Sequence, residues 1–218
     1  MKIGIIGAGN IGGTLARRCS ELGHDVAVAN SRGPQTLAEV AAATGARAVT
    51  LEAAPRGADM VVVTIPERRV PELAAGLFAD LGPAVAVVDT GNYYPQRDGR
   101  IAAIEDGTPE SAWVAEQLGR PVVKAFNNIL AAHLGERGRP AGTPGRIALP
   151  VAGADGPAKA TVLALVDQLG FDAVDAGGLE ESWRQQPGTP VYASDLDAPG
   201  VRRALAEAEP GRPPGFRA

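Results

Sequence analysis

The chain has 218 residues, a formal net charge of −4 and one cysteine, and 45% of its residues are hydrophobic. This composition is typical of a globular protein with one large domain, or a large domain and a small appendage, and argues against a disordered or fibrous chain. The slight acidity and the absence of long runs of like charge argue against nucleic-acid and anionic-membrane partners. One cysteine excludes an internal disulfide, and no apolar run reaches the roughly 18 residues of a membrane span. We therefore expect a cytoplasmic protein.

Strands and helices alternate through the first part of the chain. The apolar run 2–6 leads into a glycine-rich turn, and apolar residues then recur at helical spacing over 11–22. Continuous apolar runs at 60–65 and 84–89 are typical of strands that are covered on both faces of a parallel sheet. Further strands are predicted at 25–29, 47–49 and 122–126, and further helices at 35–43, 70–81 and 111–118. The alternation predicts an α/β fold with a doubly wound parallel sheet.

The composition changes near residue 140, where residues 137–146 are rich in Gly, Pro and Arg. A strand, a helix and a strand follow at 147–151, 158–169 and 172–175. We therefore predict a large domain over residues 1–140 and a small C-terminal α/β domain over residues 141–208. Residues 209–218, rich in Pro and Gly, are predicted to be a mobile tail with little to pack against.

The sequence GAGNIG at residues 7–12 follows the first strand and opens a helix. In this context the GxGxxG pattern predicts the dinucleotide-binding turn of a Rossmann domain. Gly7 permits the turn, Gly9 leaves room for the pyrophosphate, and Gly12 lets the helix approach the sheet, while N–H groups at the helix N-terminus face the phosphates. The alternative is a glycine-rich turn without a ligand. The predicted binding residues here are Gly7, Gly9, Asn10, Ile11 and Gly12.

The end of the second strand indicates which dinucleotide is bound. NAD enzymes usually carry an acidic residue there for the ribose hydroxyls, whereas this chain has Asn30, Ser31 and Arg32. Ser31 can donate a hydrogen bond to a 2′-phosphate and Arg32 can pair with it. These residues favour NADP(H), and a solvated surface arginine is the alternative interpretation.

Ligands of such sheets lie beyond the carboxyl ends of the strands, so the segments after each strand are candidates for binding the nicotinamide. A connection of about twenty residues, 90–110, is long enough to be a binding loop or lid. The residues predicted to surround the nicotinamide are Ile65, Pro66, Thr90, Asn92 and Asn127.

Two residues are candidates for the chemistry, Asn127 and the nearby His133. His133 could bind the substrate or donate a proton, or it could be an ordinary surface histidine. Lys124 is either a catalytic lysine or an edge charge, and Tyr94 either stacks on a flat ring or packs its loop. Trp183 and Arg184 are candidates for an anionic substrate tail. No Ser/His/Asp set, HExxH or CxxC motif supports nucleophilic hydrolysis or a protein-bound metal.

The sequence resembles the NADP oxidoreductases that depend on coenzyme F420, a deazaflavin. The resemblance is carried by residues 3–13, 30–32, 89–95 and 123–128, and residues 187–192 extend it over nearly the whole chain. It implies a Rossmann domain, a small C-terminal domain, a homodimer, and hydride exchange between NADP(H) and F420 in the cleft between the domains. Several relatives carry a further basic residue where this chain has residues 33–36, so the 2′-phosphate contact is expected to depend almost entirely on Arg32.

Two other functions fit the same NADP(H) site. One is an NADPH-dependent reductase of an imine or carbonyl in a specialised pathway, which requires a group such as Tyr, Lys or His to protonate the product. The other is a non-enzymatic NADP-binding sensor. In both enzymatic functions, the F420-dependent one and the imine or carbonyl reductase, the partner is a small-molecule redox substrate.

Overall fold

A computed structural model describes residues 1–218. The strands are β1 (Lys2–Ile6), β2 (Asp25–Ala29), β3 (Arg47–Ala48), β4 (Met60–Val63), β5 (Ala86–Asp89), β6 (Val123–Lys124), β7 (Ala148–Val151) and β8 (Asp172–Asp175). The α-helices are α1 (Asn10–Glu21), α2 (Ala38–Thr44), α3 (Pro95–Asp98), α4 (Ala102–Glu105), α5 (Glu110–Leu118), α6 (Ala131–Glu136), α7 (Pro157–Gln168) and α8 (Ala198–Ala206). Short 3₁₀ helices cover Pro34–Leu37, Leu51–Ala53, Glu67–Glu72, Leu179–Gln185 and Pro214–Phe216.

The first six strands form one parallel sheet in the order β3-β2-β1-β4-β5-β6. Strand order reverses between β1 and β4, which is the switch point of a Rossmann fold, where the crevice for a dinucleotide lies. The predicted fold class, a doubly wound parallel sheet, is therefore confirmed. A second parallel sheet of β7 and β8 contains the strands that the sequence predicted for the small C-terminal unit.

Side chains of β4 alternate between two hydrophobic clusters, one on each face of the sheet. Met60 and Val62 join the cluster that includes Leu15 of α1, whereas Val61 and Val63 join the one that includes Trp113 of α5. Because successive strand residues point to opposite faces, a fully apolar strand is what a sheet covered on both sides requires.

The first of these clusters continues past residue 140. Val162 and Leu165 of α7 and the following Phe171 belong to the same cluster as β1. The backbone of Lys124 exchanges two hydrogen bonds with Ala152, 2.8 and 3.0 Å long, which join the end of β6 to the chain just after β7. The two parts of the chain thus share one core, and the domain division at residue 140 stays a prediction.

Two expectations about local structure were wrong. The predicted helix 70–81 is a 3₁₀ helix followed by turns, since Pro71 lacks an N–H and Gly76 has φ of +81°. The predicted strand 122–126 is confined to Val123–Lys124, because Phe126 has φ of +62° and leaves the extended conformation. The connection 90–110, predicted to be a binding loop or lid, contains the short helices α3 and α4.

The C-terminal segment 209–218 has more packing partners than its composition suggested. Arg212 donates to a carboxylate oxygen of Glu110 at 2.6 Å and to the carbonyl of Tyr93 at 2.9 Å, and its guanidinium lies 4.7 Å from the Tyr93 ring centroid. The rings of Phe216 and Tyr94 lie 6.3 Å apart. The mobility of this tail stays a prediction. None of the helices is both long and apolar enough to cross a membrane.

Candidate dinucleotide-binding site

Glycine occupies three positions in and after the turn that follows β1, for different structural reasons. Gly7 has φ of +111°, and a Cβ there would overlap the carbonyl oxygen of Thr64. A Cβ at Gly12 would overlap the carbonyl oxygen of Gly7, so the close approach of α1 to the sheet requires glycine. A Cβ at Gly9 would meet no protein atom within 4 Å. Internal packing therefore explains Gly7 and Gly12 but not Gly9, which fits a glycine that leaves room for a pyrophosphate.

The N-terminus of α1 offers unshared backbone donors. Its cap is Gly9, no side chain accepts a bond from the first turn, and that turn holds no acidic residue. Asn10 is exposed and Ile11 half-buried at the same helix end. The positive end of the helix dipole and these N–H groups suit a phosphate.

At the end of β2, the side chain of Asn30 stabilises the turn, whereas those of Ser31 and Arg32 do not. Asn30 accepts a 2.9 Å hydrogen bond from the backbone N–H of Arg32 and donates one of 2.9 Å to Thr36. The side chains of Ser31 and Arg32 are exposed and make no hydrogen bond or ion pair with the protein. Asn30 thus holds the turn in a shape that leaves Ser31 and Arg32 available to a ligand.

A groove of about 210 Å³ runs between the ends of β1, β2 and β4. It brings together the predicted residues Gly7, Asn30, Ser31, Ile65 and Pro66. We call it the β1–β2–β4 groove. Its wall on the β4 side adds the 3₁₀-helix residues Arg68, Arg69 and Glu72, which the sequence analysis did not assign to the site.

The predicted nicotinamide residues form a second set further along the sheet. Asn92 and Asn127 exchange two hydrogen bonds, from Asn92 Nδ2 to the Asn127 carbonyl at 2.9 Å and from Asn127 Nδ2 to Asn92 Oδ1 at 3.1 Å. Gln185 donates to Asn127 Oδ1 at 2.9 Å and accepts at its carbonyl from Asn127 Nδ2 at 2.6 Å. The buried Thr90 bonds through its N–H to the Val63 carbonyl at 3.1 Å. No hydrogen bond links this set to Ile65 or Pro66.

Gln185 was missed by the sequence analysis, although its neighbours Trp183 and Arg184 were noted. It is fully buried and comes from the C-terminal unit, so that unit fixes the orientation of Asn127. The guanidinium of Arg184 instead lies 4.4 Å from the Trp183 ring.

A cluster of buried charges lies at the ends of β5 and β6. Lys124 is fully buried, and its Nζ lies 3.2 Å from Asp89 Oδ2 and 3.9 Å from Glu110 Oε2. Ser111 donates to the same oxygen of Asp89 at 2.6 Å. We call Glu67, Asp89, Glu110 and Lys124 the buried charge cluster. No group of three or more His, Cys, Asp or Glu side chains is placed to hold a metal ion.

The cluster contains one carboxyl without a partner. Glu67 is fully buried, and neither of its carboxyl oxygens has a hydrogen bond. Burial and then the charge of Asp89 raise the pKa of Glu67 well above its usual 4.5. Burial alone would lower the pKa of Lys124, but Asp89 and Glu110 raise it above 10.5. Lys124 is thus a charged, paired ammonium, whereas burial and its acidic neighbours favour the protonated form of Glu67.

The side chains of the other candidates make no hydrogen bond to the two asparagines. His133 Nδ1 lies 2.9 Å from a carboxylate oxygen of Asp195, which Arg137 also contacts at 2.6 Å. The hydroxyl of Tyr94 contacts that of Tyr192. No hydrogen bond joins His133 to Asn127, so the structure does not bring the two predicted catalytic residues together directly.

Comparison with known proteins identifies the family. A family model described as coenzyme F420-dependent NADP oxidoreductase matches residues 2–93. The crystal structure of the hypothetical protein SMa0349 from Sinorhizobium meliloti superposes with a TM-score of 0.75 at 32% identity, covering 90% of this chain and 95% of that one. A protein from Arthrobacter sp. FB24, provisionally named an F420-dependent NADP reductase, gives a TM-score of 0.64 at 25% identity over 84% and 87% of the two chains.

The N-terminal part of the chain, residues 2–93, thus matches the F420-dependent NADP oxidoreductase family. The resemblance drawn from the sequence motifs is therefore confirmed, as is the class of protein, an oxidoreductase, at the level of the family. Escherichia coli YjhV is 44% identical over 72 residues, a stretch that covers 33% of this chain and 53% of YjhV. This chain thus matches about half the length of that curated relative.

Proposed function

We propose that this protein transfers hydride between NADP(H) and coenzyme F420, with both bound at the carboxyl edge of the sheet. The observation that carries the proposal is the β1–β2–β4 groove, which is lined both by Gly7, in the turn before the uncapped start of α1, and by the exposed Ser31, next to the exposed Arg32. An NAD enzyme usually has a carboxylate at that position of β2, which would repel a 2′-phosphate. The cytoplasmic location and the homodimer stay predictions.

The residues present fit NADP(H) at each end of the molecule. Gly9 and the first turn of α1 would hold the pyrophosphate, and Ser31 and Arg32 would hold the 2′-phosphate. Asn92 and Asn127 would face the nicotinamide, with their amides already fixed by each other and by Gln185. The chemistry supplied by the bound cofactors is a hydride transfer from the nicotinamide carbon to a ring carbon of F420, with a proton taken up from water.

The protein's own contribution is then mainly positioning. Both reacting carbons belong to cofactors, so the chain must bind them, orient them and exclude water. Holding two reactants in a near-attack geometry can lower a barrier by several kcal/mol. The fixed amide pair of Asn92 and Asn127 suits this task, because its hydrogen bonds prevent either side chain from rotating freely.

An imine or carbonyl reductase needs a proton donor, and the surroundings of Lys124 and Tyr94 bear on which of these two residues could serve as one. Lys124 is fully buried and paired with Asp89, so it cannot reach a substrate in this conformation. Tyr94, whose hydroxyl contacts that of Tyr192, is the tyrosine that the sequence analysis singled out. The variant Tyr94→Phe therefore separates the two enzymatic functions.

The deciding experiment is incubation of the protein with NADPH and oxidised F420 while the absorbance of each is followed. We expect both to change at equal molar rates, and Tyr94→Phe to retain this activity. Oxidation of NADPH only with an imine or carbonyl, lost in Tyr94→Phe, would replace the proposal with the second enzymatic function. Tight NADPH binding with no turnover of any acceptor would instead indicate a sensor.

A further inference from the structure

The wall of the β1–β2–β4 groove on the β4 side carries an arginine without a protein partner. Arg68 lines the groove, is exposed, and makes no hydrogen bond or ion pair. The neighbouring Arg69 also lines the groove, but its guanidinium pairs with Glu72 at 2.7 Å. Of these two cations, only Arg68 is free to meet a ligand.

The local structure explains why Arg68 points outward. Residues Glu67–Glu72 form a 3₁₀ helix, which has three residues per turn. Glu67 and Val70, three residues apart, are both buried on its inner side. Arg68 and Arg69 between them must therefore face solvent and the groove. The backbone N–H of Arg69 bonds to the carbonyl of Pro66 at 2.9 Å, which fixes the start of this helix.

The charges that line the groove leave it positive. Glu72 would repel a phosphate, but its ion pair with Arg69 compensates that charge. The charge of Arg68 remains, on the wall that faces Ser31 at the end of β2. A groove with a free hydroxyl on one wall and a free guanidinium on the other suits a phosphate held between them, since arginine forms paired hydrogen bonds with phosphate oxygens.

We propose that Arg68 is a second cation for the 2′-phosphate of NADP and helps select NADP over NAD. The inference rests on the proposed NADP site and names a specificity residue in it. It also revises the expectation that the 2′-phosphate contact depends almost entirely on Arg32: the further basic residue, which the chain lacks at 33–36, comes from the opposite wall of the groove.

The test measures dissociation constants of NADP and NAD, by titration calorimetry at low salt, for four proteins. They are the wild type, Arg68→Ala, Arg32→Ala and a control, Arg56→Ala, which removes an exposed arginine that lies outside the groove and forms no ion pair. We expect Arg68→Ala to weaken NADP binding about tenfold, as loss of one charge-assisted hydrogen bond would. NAD binding should change less than about twofold, and Arg56→Ala should leave both constants unchanged.

Two further measurements separate a phosphate contact from a contact with adenine. Arg68→Lys keeps the charge and should recover part of the NADP affinity. The preference of the wild type for NADP over NAD should fall as salt is raised, because salt screens an exposed charge pair. In the double variant Arg32→Ala/Arg68→Ala, the two nucleotides should bind with nearly equal affinity.

Each contrary outcome has a distinct meaning. Equal losses for NADP and NAD in Arg68→Ala would place Arg68 on adenine or in the fold and overturn the inference. An unchanged NADP constant in Arg68→Ala, with a weakened one in Arg32→Ala, would overturn it while the proposed function stands. Failure of the wild type to bind either nucleotide would overturn both.

Discussion

Two charged regions border the same carboxyl edge of the sheet, and they differ in where their charges are satisfied. Arg68, which lines the β1–β2–β4 groove, and Arg32, which follows its lining residue Ser31, are exposed and have no protein partner. In the buried charge cluster, Lys124 is fully buried and pairs with Asp89. A charge without an internal partner is available to a ligand, whereas a buried and paired charge is committed to the fold.

The two regions should therefore respond differently to substitution. Removal of an exposed arginine leaves no buried group unpaired. The free energy of unfolding should therefore barely change, while nucleotide binding weakens. Removal of one partner from a buried pair leaves an uncompensated charge in a medium of low dielectric constant, which strongly destabilises the fold. The predictions below test this division.

The largest effect is expected for Lys124→Met. This change leaves Asp89 without its cation, and the free energy of unfolding should fall by about 3 to 5 kcal/mol in urea denaturation. The matched control, Lys2→Met, removes an exposed lysine whose ammonium makes no contact and should change stability by less than about 0.5 kcal/mol. A stable Lys124→Met protein that has lost turnover would instead make Lys124 part of the chemistry.

Gly9→Val should show the opposite pattern, with binding lost and stability kept. The backbone of Gly9 is extended, with φ of −76°, and a Cβ there meets no protein atom within 4 Å, so the fold should tolerate valine. The side chain would occupy the space predicted for the pyrophosphate, and NADPH affinity should fall about a hundredfold or more in a fluorescence titration.

Gly12→Ala is the matched control for that variant, because its Cβ would overlap the carbonyl oxygen of Gly7. It should lower the thermal midpoint clearly, unlike Gly9→Val. If Gly9→Val binds NADPH as the wild type does, the glycine turn is not a pyrophosphate site.

The difference between the regions also explains what could be predicted from the sequence. The predicted pyrophosphate and 2′-phosphate residues lie in two short segments, 7–12 and 30–32, whose roles follow from local pattern and from their place after a strand. Arg68 was not predictable in this way, since its direction depends on a 3₁₀ helix that the apolar spacing of 70–81 concealed. The 3₁₀ geometry only becomes evident from the burial of Glu67 and Val70.

The buried charge cluster was even less predictable, because its members come from four separate segments. Lys124 lies in a predicted strand, where it was interpreted as a catalytic lysine or an edge charge, and the sequence analysis assigned no role to Glu67 or Glu110. Only the convergence of β5, β6 and α5 brings the carboxylates of Asp89 and Glu110 within 4 Å of Lys124 Nζ. A lysine at the buried end of a parallel strand is the one signal that could have indicated such a cluster.

Within the cluster, Glu67 should make stability depend on pH. Its pKa is raised in the folded protein, so the folded state keeps a proton that the unfolded chain releases above about 4.5. The corresponding stability is complete below that pH and declines as pH rises toward the folded pKa. Glu67→Gln carries no such proton. Its free energy of unfolding should therefore rise relative to that of the wild type as pH increases, by at most about 1.4 kcal/mol per pH unit.

The measurement is urea denaturation of both proteins between pH 4 and 8. Glu110, whose pKa burial also raises, titrates in both proteins, so its effect largely cancels in the difference. Glu72→Gln, which alters an exposed carboxylate, is the control, and a plot of its free energy of unfolding against pH should be parallel to that of the wild type. A Glu67→Gln curve that also runs parallel would show that Glu67 keeps an ordinary pKa.

The smallest effect is expected for His133, the predicted catalytic candidate that the structure places beside Asp195. His133→Gln keeps a hydrogen-bond donor next to that carboxylate, and pairs exposed to this extent contribute about 1 kcal/mol or less. Turnover of NADPH with F420 should stay within about fivefold of the wild type, because hydride transfer between two cofactors needs no protein acid. His24→Gln, which alters a histidine bonded to Gln168 at the other end of the sheet, is the control. A loss of a hundredfold or more in His133→Gln alone, together with loss of an inflection from the pH–rate profile, is the signature of a general acid. That result would make His133 catalytic and favour a carbonyl or imine as the acceptor.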